Sequence, residues 1–371
     1  MSIRRLAVYH LRNLDQVDIQ PSSRVNLLFG ENGSGKTSIL EAIHLLGVGR
    51  SFRSHKHKSL INYHQNEFTV FGKLLTQDGG ELALGVSRTQ SGDALFKANG
   101  QPVASAADLA HHLPLQVINS DTFGLLEGGP QIRRQFVDWL VFHVEPGFYP
   151  LWRNLQRCLK HRNSLLRHDR IDAFELAPWD QELVGLTEQI HQLRFNSIEK
   201  FSAVFQELAS AFTGLEGLTL NYFRGWDRQT DYAEVLQKGL ERDHRQGFTH
   251  AGSHRADLRI HLQGHNAVDL LSRGQQKLLV CALKITQGLV FQQATGRQCI
   301  YLVDDLPAEL DIHHRQLLTD WLDSMNTQVF VTGVEPQALL ETWTDKPGMD
   351  IKMFHVEHGK LKETEQYQSP R

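Results

Sequence analysis

The stretch GENGSGKT, residues 30–37, constrains the fold of this chain more than any other feature. It matches the pattern G-x-x-x-x-G-K-[ST] in full, which is typical of a loop whose backbone N–H groups surround phosphate oxygens. The apolar run RVNLLFG before it predicts a strand, and KTSILEAIHLLG after it has the apolar spacing of a helix. The sequence therefore predicts a strand, a phosphate-binding loop and a helix in an α/β fold.

This loop predicts the binding of a nucleoside triphosphate. Lys36 is expected to reach the β- and γ-phosphates, and the hydroxyl of Thr37 is a candidate ligand for Mg²⁺. The N-terminus of the following helix adds a positive dipole end that favours an anion. The predicted contacts with the nucleotide come from Gly30, Glu31, Asn32, Gly33, Ser34, Gly35, Lys36 and Thr37.

An acidic pair ends the apolar strand pattern CIYLVDD and forms a second candidate site. Many strands end in an acidic turn, but proteins with such a phosphate-binding loop hold Mg²⁺ with an aspartate at the end of a neighbouring strand. Asp304 is predicted to hold the metal, and Asp305 to polarise the water that attacks the γ-phosphate. Because an aspartate side chain is shorter than the glutamate of many related ATPases, slow hydrolysis is expected.

The stretch LSRGQQK, residues 271–277, has two interpretations. Alone, it predicts a helix cap at Ser272. Together with the loop, the acidic pair and AELD at 308–311, it resembles the signature motif of ABC-type ATPases. That resemblance implies that two chains pair head to tail, and that Ser272, Gly274 and Gln275 of one contact the nucleotide bound to the other.

The remaining patterns predict an α/β fold that is split by a helical insertion. Short strands separated by DGG, SGD and NG predict an antiparallel meander over 67–105, and later apolar runs predict a mostly parallel sheet. Helical patterns dominate in between, with interruptions expected at Pro150 and Pro178. The predicted fold class is an ABC-type ATPase head with a P-loop sheet and an antiparallel β part, plus an inserted short helical lobe. The predicted boundaries are 1–130 and 216–371 for the ATPase parts and 131–215 for the lobe.

The motifs together resemble the RecF family of bacterial DNA replication and repair ATPases. They are LRNL at 11–14, GENGSGKTSILEAI, GRSFRS, EGGPQIRRQFVDW, GSHRADL, LSRGQQKLL and LVDDLPAELD. The resemblance implies an ATP-driven homodimer that binds single-stranded, gapped and duplex DNA, helps load RecA with RecO and RecR, and supports the SOS response. It also implies weak, DNA-stimulated ATP hydrolysis. The chain departs from the pattern of transporters at Thr332, where a switch histidine is usual.

Net charge is −3, so composition alone does not favour nucleic acid. A predicted helix, LWRNLQRCLKHRNSLLRHDR, has a basic face that is either simply solvated or follows a phosphate backbone. The candidate DNA contacts are Arg153, Arg157, Lys160 and Arg162. Gln116 is either a counterpart of the glutamine that links the metal to the insertion in ABC-type ATPases, or an ordinary exposed residue.

Other classes of protein fit the sequence less well. An ABC transporter ATPase subunit would have a shorter chain and a switch histidine. A small-molecule kinase would not require the motif LSRGQQK. A tether of the SMC type would have longer helical arms. No stretch has the length and apolarity of a secretory signal or a membrane span. The three cysteines are far apart in apolar patterns, which is typical of buried thiols in a reducing cytoplasm.

Overall fold

The computed structural model of this chain describes residues 1–54, 56–209, 217–344, 346 and 348–364. It forms two compact units, one from residues 1–123 and 277–371 and the other from residues 124–276. The insertion is therefore longer than the predicted 131–215, because the strands that follow its helices pack with them. The predicted boundary at 215–216 lies outside the described residues.

Most of the strands lie in the first unit. They are β1 (Ser2–Leu11), β2 (Leu14–Ile19), β3 (Val25–Phe29), β4 (Glu67–Leu75), β5 (Glu81–Thr89), β6 (Ala94–Ala98), β7 (Gln101–Pro102), β8 (Leu115–Ile118), β9 (Leu218–Phe223), β10 (Asp257–Leu262), β11 (His265–Asn266), β12 (Ile300–Val303), β13 (Val329–Gly333), β14 (Ile351–Glu357) and β15 (Lys360–Thr364). Of these, β9 to β11 belong to the second unit.

Helices dominate the second unit. The α-helices are α1 (Lys36–Val48), α2 (Ala106–His112), α3 (Gly124–Glu127), α4 (Pro130–Val144), α5 (Phe148–Leu165), α6 (Ala173–Ala209), α7 (Tyr232–Gln246), α8 (Ala267–Leu270), α9 (Arg273–Thr295), α10 (Leu306–Glu309), α11 (Ile312–Ser324) and α12 (Pro336–Leu340). Among the described residues, none of the helices is both long and apolar enough to cross a membrane.

A mostly parallel sheet carries the phosphate-binding loop. Its strand order is β15-β14-β3-β13-β12-β8, and β14, β3, β13, β12 and β8 run parallel. The four residues of β12 are fully buried, as its continuous apolar pattern predicted. Because parallel strands end at one edge, the residues after β3, β12 and β13 lie together there.

An antiparallel sheet of order β2-β1-β4-β5-β6-β7 completes the first unit. Its strands β4, β5 and β6 pair as a meander, which confirms the prediction for 67–105. Helix α1 packs on this sheet through β4 and β5 and on the parallel sheet through β13. Apolar side chains of α1 are fully buried in the shared core, among them Ile39, Leu40 and Ile43. This packing anchors the helix that follows the loop.

The second unit combines helices α4 to α7 with a small antiparallel sheet of order β11-β10-β9. The expected helix interruptions are wrong. Pro150 lies in the first turn of α5, where a backbone N–H has no helical partner to lose. Pro178 lies near the start of α6 and does not end it. The whole helix has 37 residues and is about 55 Å long.

Candidate functional site

The loop between β3 and α1 has a backbone that requires glycine. Gly30 has φ +146°, and a Cβ atom there would lie 2.2 Å from the carbonyl oxygen of Val356. Gly35 immediately precedes α1 with φ +121°, in a region that other residues rarely adopt. The loop is held at Ser34, whose carbonyl oxygen accepts from the Gly359 N–H at 2.8 Å. The loop therefore leads directly into the N-terminus of α1, as the motif predicts.

Lys36 is 7% exposed and lies across the loop. Its Nζ donates to the carbonyl oxygens of Gly30 at 2.7 Å and Glu31 at 2.8 Å. Burial lowers the pKa of Lys36, while the charges of Asp305 and Asp304 oppose that effect. A cation that is confined at the base of this loop is suited to a polyphosphate.

Asp304 accepts two hydroxyl hydrogen bonds at the edge of the parallel sheet. Its Oδ1 lies 2.9 Å from Thr37 Oγ1 and 2.7 Å from Thr332 Oγ1. Thr37 lies in the first turn of α1 and Asp304 follows β12, so the fold joins two residues that are 267 positions apart. A hydroxyl and a carboxylate are the hard oxygen donors that Mg²⁺ prefers, and here they lie side by side. Thr37 and Asp304 therefore fit a Mg²⁺ ion.

Asp305 faces the same cavity from a strained backbone. Its φ is +54°, and its backbone N–H donates to Thr332 Oγ1 at 2.7 Å. Burial raises the pKa of the Asp305 carboxyl, the neighbouring charge of Asp304 raises it further, and Lys36 opposes both. A carboxylate with a raised pKa is a better proton acceptor than an ordinary aspartate.

Most of the predicted loop residues and the acidic pair line one cavity of about 790 Å³ in the first unit, whereas Gly30, Glu31 and Ser34 do not line it. Those from the loop and the acidic pair are Asn32, Gly33, Gly35, Lys36, Thr37, Asp304 and Asp305. Other lining residues were not predicted as site residues: Arg12, Asn13, Ser38, Arg53, Ser59, Ile61, Asn62, Tyr63, Ser120, Glu309 and Thr332. The volume is ample for a nucleotide, since ligand pockets are typically about 300–1,000 Å³.

Asn13 and Arg12 support the loop from the turn after β1. Asn13 Nδ2 donates to the Gly33 carbonyl oxygen at 3.0 Å, and Asn13 Oδ1 accepts from Ser38 Oγ at 2.9 Å. Arg12 binds the fully buried Glu41 through two hydrogen bonds of 2.9 and 2.8 Å. Both residues belong to the motif LRNL, which contributes to the family resemblance. The motif alone does not show that they contact the loop or α1.

The stretch LSRGQQK begins α9 with a reciprocal cap. The backbone N–H of Ser272 donates to Gln275 Oε1 at 2.9 Å, and the N–H of Gln275 donates to Ser272 Oγ at 3.3 Å. Ser272 and Arg273 are exposed, and Arg273 pairs with Glu127. The cap confirms the simpler interpretation of Ser272. The serine remains exposed, so forming the cap does not prevent the predicted contact with a second chain.

Gln116 does not line the cavity. It is 1% exposed in β8, where its Nε2 donates to Gln287 Oε1 at 3.0 Å and its Oε1 accepts from Lys284 Nζ at 3.2 Å. Its position in the sheet explains this placement, because it pairs with Tyr301, three residues before Asp304. That separation is about 10 Å along a strand. The structure therefore places Gln116 away from the predicted metal position.

The predicted basic face of α5 contains three exposed residues and one buried one. Arg153, Arg157 and Lys160 are exposed, whereas Arg162 is fully buried. The assignment of Arg162 to DNA is therefore wrong. The sequence contained a signal for the burial of Arg162. It shares the helical spacing of Leu155, Cys158 and Leu159, which form the buried face of α5.

Arg162 holds the second unit together through ionic hydrogen bonds. Its Nε donates to Asp180 Oδ1 at 2.6 Å, and its Nη1 donates to Asp243 Oδ2 at 2.7 Å and Thr249 Oγ1 at 2.8 Å. Burial opposes the charge, but the two carboxylates outweigh it and raise the pKa of Arg162. The side chain of Asp243 is itself only 4% exposed.

We expect Arg162→Ala to lower the free energy of unfolding by about 3–5 kcal/mol, because it leaves a buried carboxylate without its cation. Arg157→Ala is the matched control, since Arg157 is 61% exposed and lies 3.6 Å from Glu182. Its expected cost is below about 1 kcal/mol. Urea unfolding of both variants measures the difference, and equal stabilities would contradict the structural role of Arg162.

Comparison with known proteins identifies a family and similar structures. The family described as RecF/RecN/SMC N terminal domain matches residues 2–360. A DNA replication and repair protein RecF from Cellvibrio japonicus (strain Ueda107) is 66% identical over 361 residues, which cover 97% of this chain and 99% of that protein.

Two solved structures are similar in fold. The recombination mediator protein RecF-ATP in the RecFOR pathway superposes with a TM-score of 0.86 at 23% identity, covering 98% of this chain and 97% of that one. The Smc head domain from Pyrococcus furiosus, with an extended coiled coil and bound to the C-terminal domain of ScpA, has a TM-score of 0.57 at 15% identity. That match covers 98% of this chain and 96% of that one. Both confirm the predicted fold class of an ATPase head.

Proposed function

This chain belongs to the RecF/RecN/SMC N-terminal domain family, within it to the RecF proteins of DNA replication and repair, and from that premise we propose that it is an ATP-driven switch that binds DNA. One observation carries the proposal. The Thr37 hydroxyl and the Asp304 carboxylate lie 2.9 Å apart beside the buried Lys36, at the base of a nucleotide-sized cavity.

The residues of the cavity have complementary roles toward ATP. Lys36 and the loop N–H groups bind the phosphates, while Thr37 and Asp304 are the protein ligands of Mg²⁺, which neutralises phosphate charge when bound. Asp305 accepts a proton from the attacking water as the oxygen of that water bonds to the γ-phosphorus. The bond to the β-γ bridging oxygen then breaks, giving ADP and phosphate. Because the aspartate side chain is short, the water is held at the limit of its reach and turnover is slow.

The exposed N-terminus of α9 supports a role in dimerisation. Ser272 is already the cap of its own helix, and its exposed position leaves it accessible to a second chain. In the proposed dimer, Ser272, Gly274 and Gln275 contact the γ-phosphate held by the partner, where the helix dipole favours an anion. Since ADP lacks that phosphate, only the ATP state gains these contacts, and hydrolysis releases the dimer.

The exposed face of α5 is the proposed contribution of the second unit to DNA binding. Arg153, Arg157 and Lys160 follow one another at helical spacing, and each can neutralise a phosphate. His161 of α5 stacks on Trp179 of α6 with ring centroids 4.6 Å apart. Membership of the RecF family supports single-stranded, gapped and duplex DNA as ligands. It also supports RecO and RecR as partners in loading RecA, with a part in the SOS response in the cytoplasm.

Asp305→Asn provides the direct test, because it preserves the shape of the side chain but removes the proton acceptor. We expect this variant to bind ATP, to convert from monomer to dimer with ATP but not ADP, and to lose at least about 100-fold in turnover. Light scattering and a steady-state ATPase assay measure these changes. The wild-type turnover is expected to rise with gapped DNA. An ATPase that ignored DNA, together with ATP-independent DNA binding, would overturn the proposal.

A further inference from the structure

Thr332 lies where the three segments of the site meet. It is the fourth residue of β13, which runs between β3 and β12. In the sheet register Val331 pairs with Val303, so Thr332 comes level with Asp304. Thr332 is 1% exposed, yet it lines the nucleotide cavity. A polar side chain this deeply buried requires hydrogen-bond partners.

The hydroxyl of Thr332 joins the acidic pair. Oγ1 donates to Asp304 Oδ1 at 2.7 Å and accepts from the backbone N–H of Asp305 at 2.7 Å. Because a hydroxyl has one hydrogen, these two bonds use its donor and one of its acceptor sites. One side chain therefore sets the orientation of the first carboxylate and the backbone of the second.

The bond to Asp305 acts on a residue with an unusual conformation. Asp305 has φ +54°, in the left-handed region that residues with a Cβ seldom adopt. Asp305 lies between the end of β12 and the start of α10, and it is the N-cap residue of α10. In this turn the N–H of Asp305 points to Thr332, so losing the hydroxyl removes a bond that holds the turn.

We propose that Thr332 is a positioning residue that keeps Asp304 and Asp305 aligned during ATP turnover, an inference that rests on the proposed function. Asp304 Oδ1 has two hydroxyl donors, Thr37 at 2.9 Å and Thr332. Thr37 would also ligate Mg²⁺ through its oxygen, whereas the Thr332 hydroxyl bonds both members of the acidic pair. The chain thus uses a threonine to align its own carboxylates at the position where transporters carry a histidine.

Thr332→Val tests the proposal, because valine keeps the shape and removes the hydroxyl. We expect kcat to fall about 10- to 100-fold, since two hydrogen bonds to the acidic pair are lost. Binding of a fluorescent ATP analogue without Mg²⁺ is expected to stay within about twofold of wild type, because Lys36 and the loop are untouched. The Mg²⁺ concentration needed for half-maximal enhancement of that binding should rise. Thr332→Ser should restore both kcat and the Mg²⁺ response.

Thr327→Val is the matched control. Thr327 is 1% exposed, and its hydroxyl donates to the carbonyl oxygen of Cys299, at the start of β12 and away from the acidic pair. We expect it to lower the melting temperature without changing kcat or the Mg²⁺ response. Thr332→Val with wild-type kcat and Mg²⁺ response, or no rescue by Thr332→Ser, overturns the positioning role. Failure of the wild-type chain to bind or hydrolyse ATP overturns the proposed function instead.

Discussion

Lys36→Met should weaken ATP binding by at least about 100-fold and reduce ATP turnover to background. The Lys36 ammonium lies across the loop, with Nζ 2.7 and 2.8 Å from two loop carbonyl oxygens. A hydrogen bond from a charged donor contributes about 1.5–3 kcal/mol, and methionine replaces it with an apolar chain of similar length. The loss of charge adds to this, because the Lys36 ammonium then no longer offsets the charges of Asp304 and Asp305 beside the triphosphate.

Titration with a fluorescent ATP analogue measures the affinity of the Lys36→Met chain. Lys58→Met is the control, since Lys58 is exposed and is not part of the cavity lining. Melting temperatures of both variants are expected to stay close to wild type. Unchanged nucleotide affinity in the Lys36→Met chain would show that the cavity is not the phosphate site.

The sequence predicted the parts of the site that depend on local pattern. The loop needs glycines at fixed spacing, so GENGSGKT predicted its conformation. The apolar strand before Asp304 predicted that this residue lies at the edge of the sheet. Arg162 also had a local signal, the helical spacing with Leu155, Cys158 and Leu159, but the neighbouring basic residues concealed it. Counting charges along a helix does not distinguish a solvated face from a buried ion pair.

Other parts depended on contacts between distant segments and had no local signal. Thr332 joins Asp304 and Asp305 only because β13 lies between β3 and β12, an order that the sequence does not show. Gln116 was misplaced for the same reason, because its distance from the acidic pair depends on the register of β8 against β12. The strand Leu218–Phe223 falls in the predicted ATPase part 216–371, yet it pairs with β10 in the second unit.

Ser272→Asp should abolish ATP-driven dimerisation while leaving ATP binding by the monomer unchanged. Aspartate and asparagine cap helices about as well as serine, so the cap that Ser272 forms with Gln275 is retained in either variant. They differ in charge. In the proposed dimer the new carboxylate faces the γ-phosphate of the partner, and two like charges about 4 Å apart repel by roughly 4 kcal/mol at an effective dielectric constant of 20.

Ser272→Asn is therefore the matched control, since it keeps the cap and the size but adds no charge. Because a head-to-tail dimer contains two such contacts, the dimerisation constant of the aspartate variant should fall at least about 1,000-fold, whereas that of the asparagine variant should change only a few-fold. Sedimentation with ATP, in the Asp305→Asn background that blocks turnover, measures both. If the aspartate variant dimerised like the asparagine variant, Ser272 would be a helix cap and nothing more. If it alone stayed monomeric with normal ATP affinity, the N-terminus of α9 would belong to a site completed by a second chain.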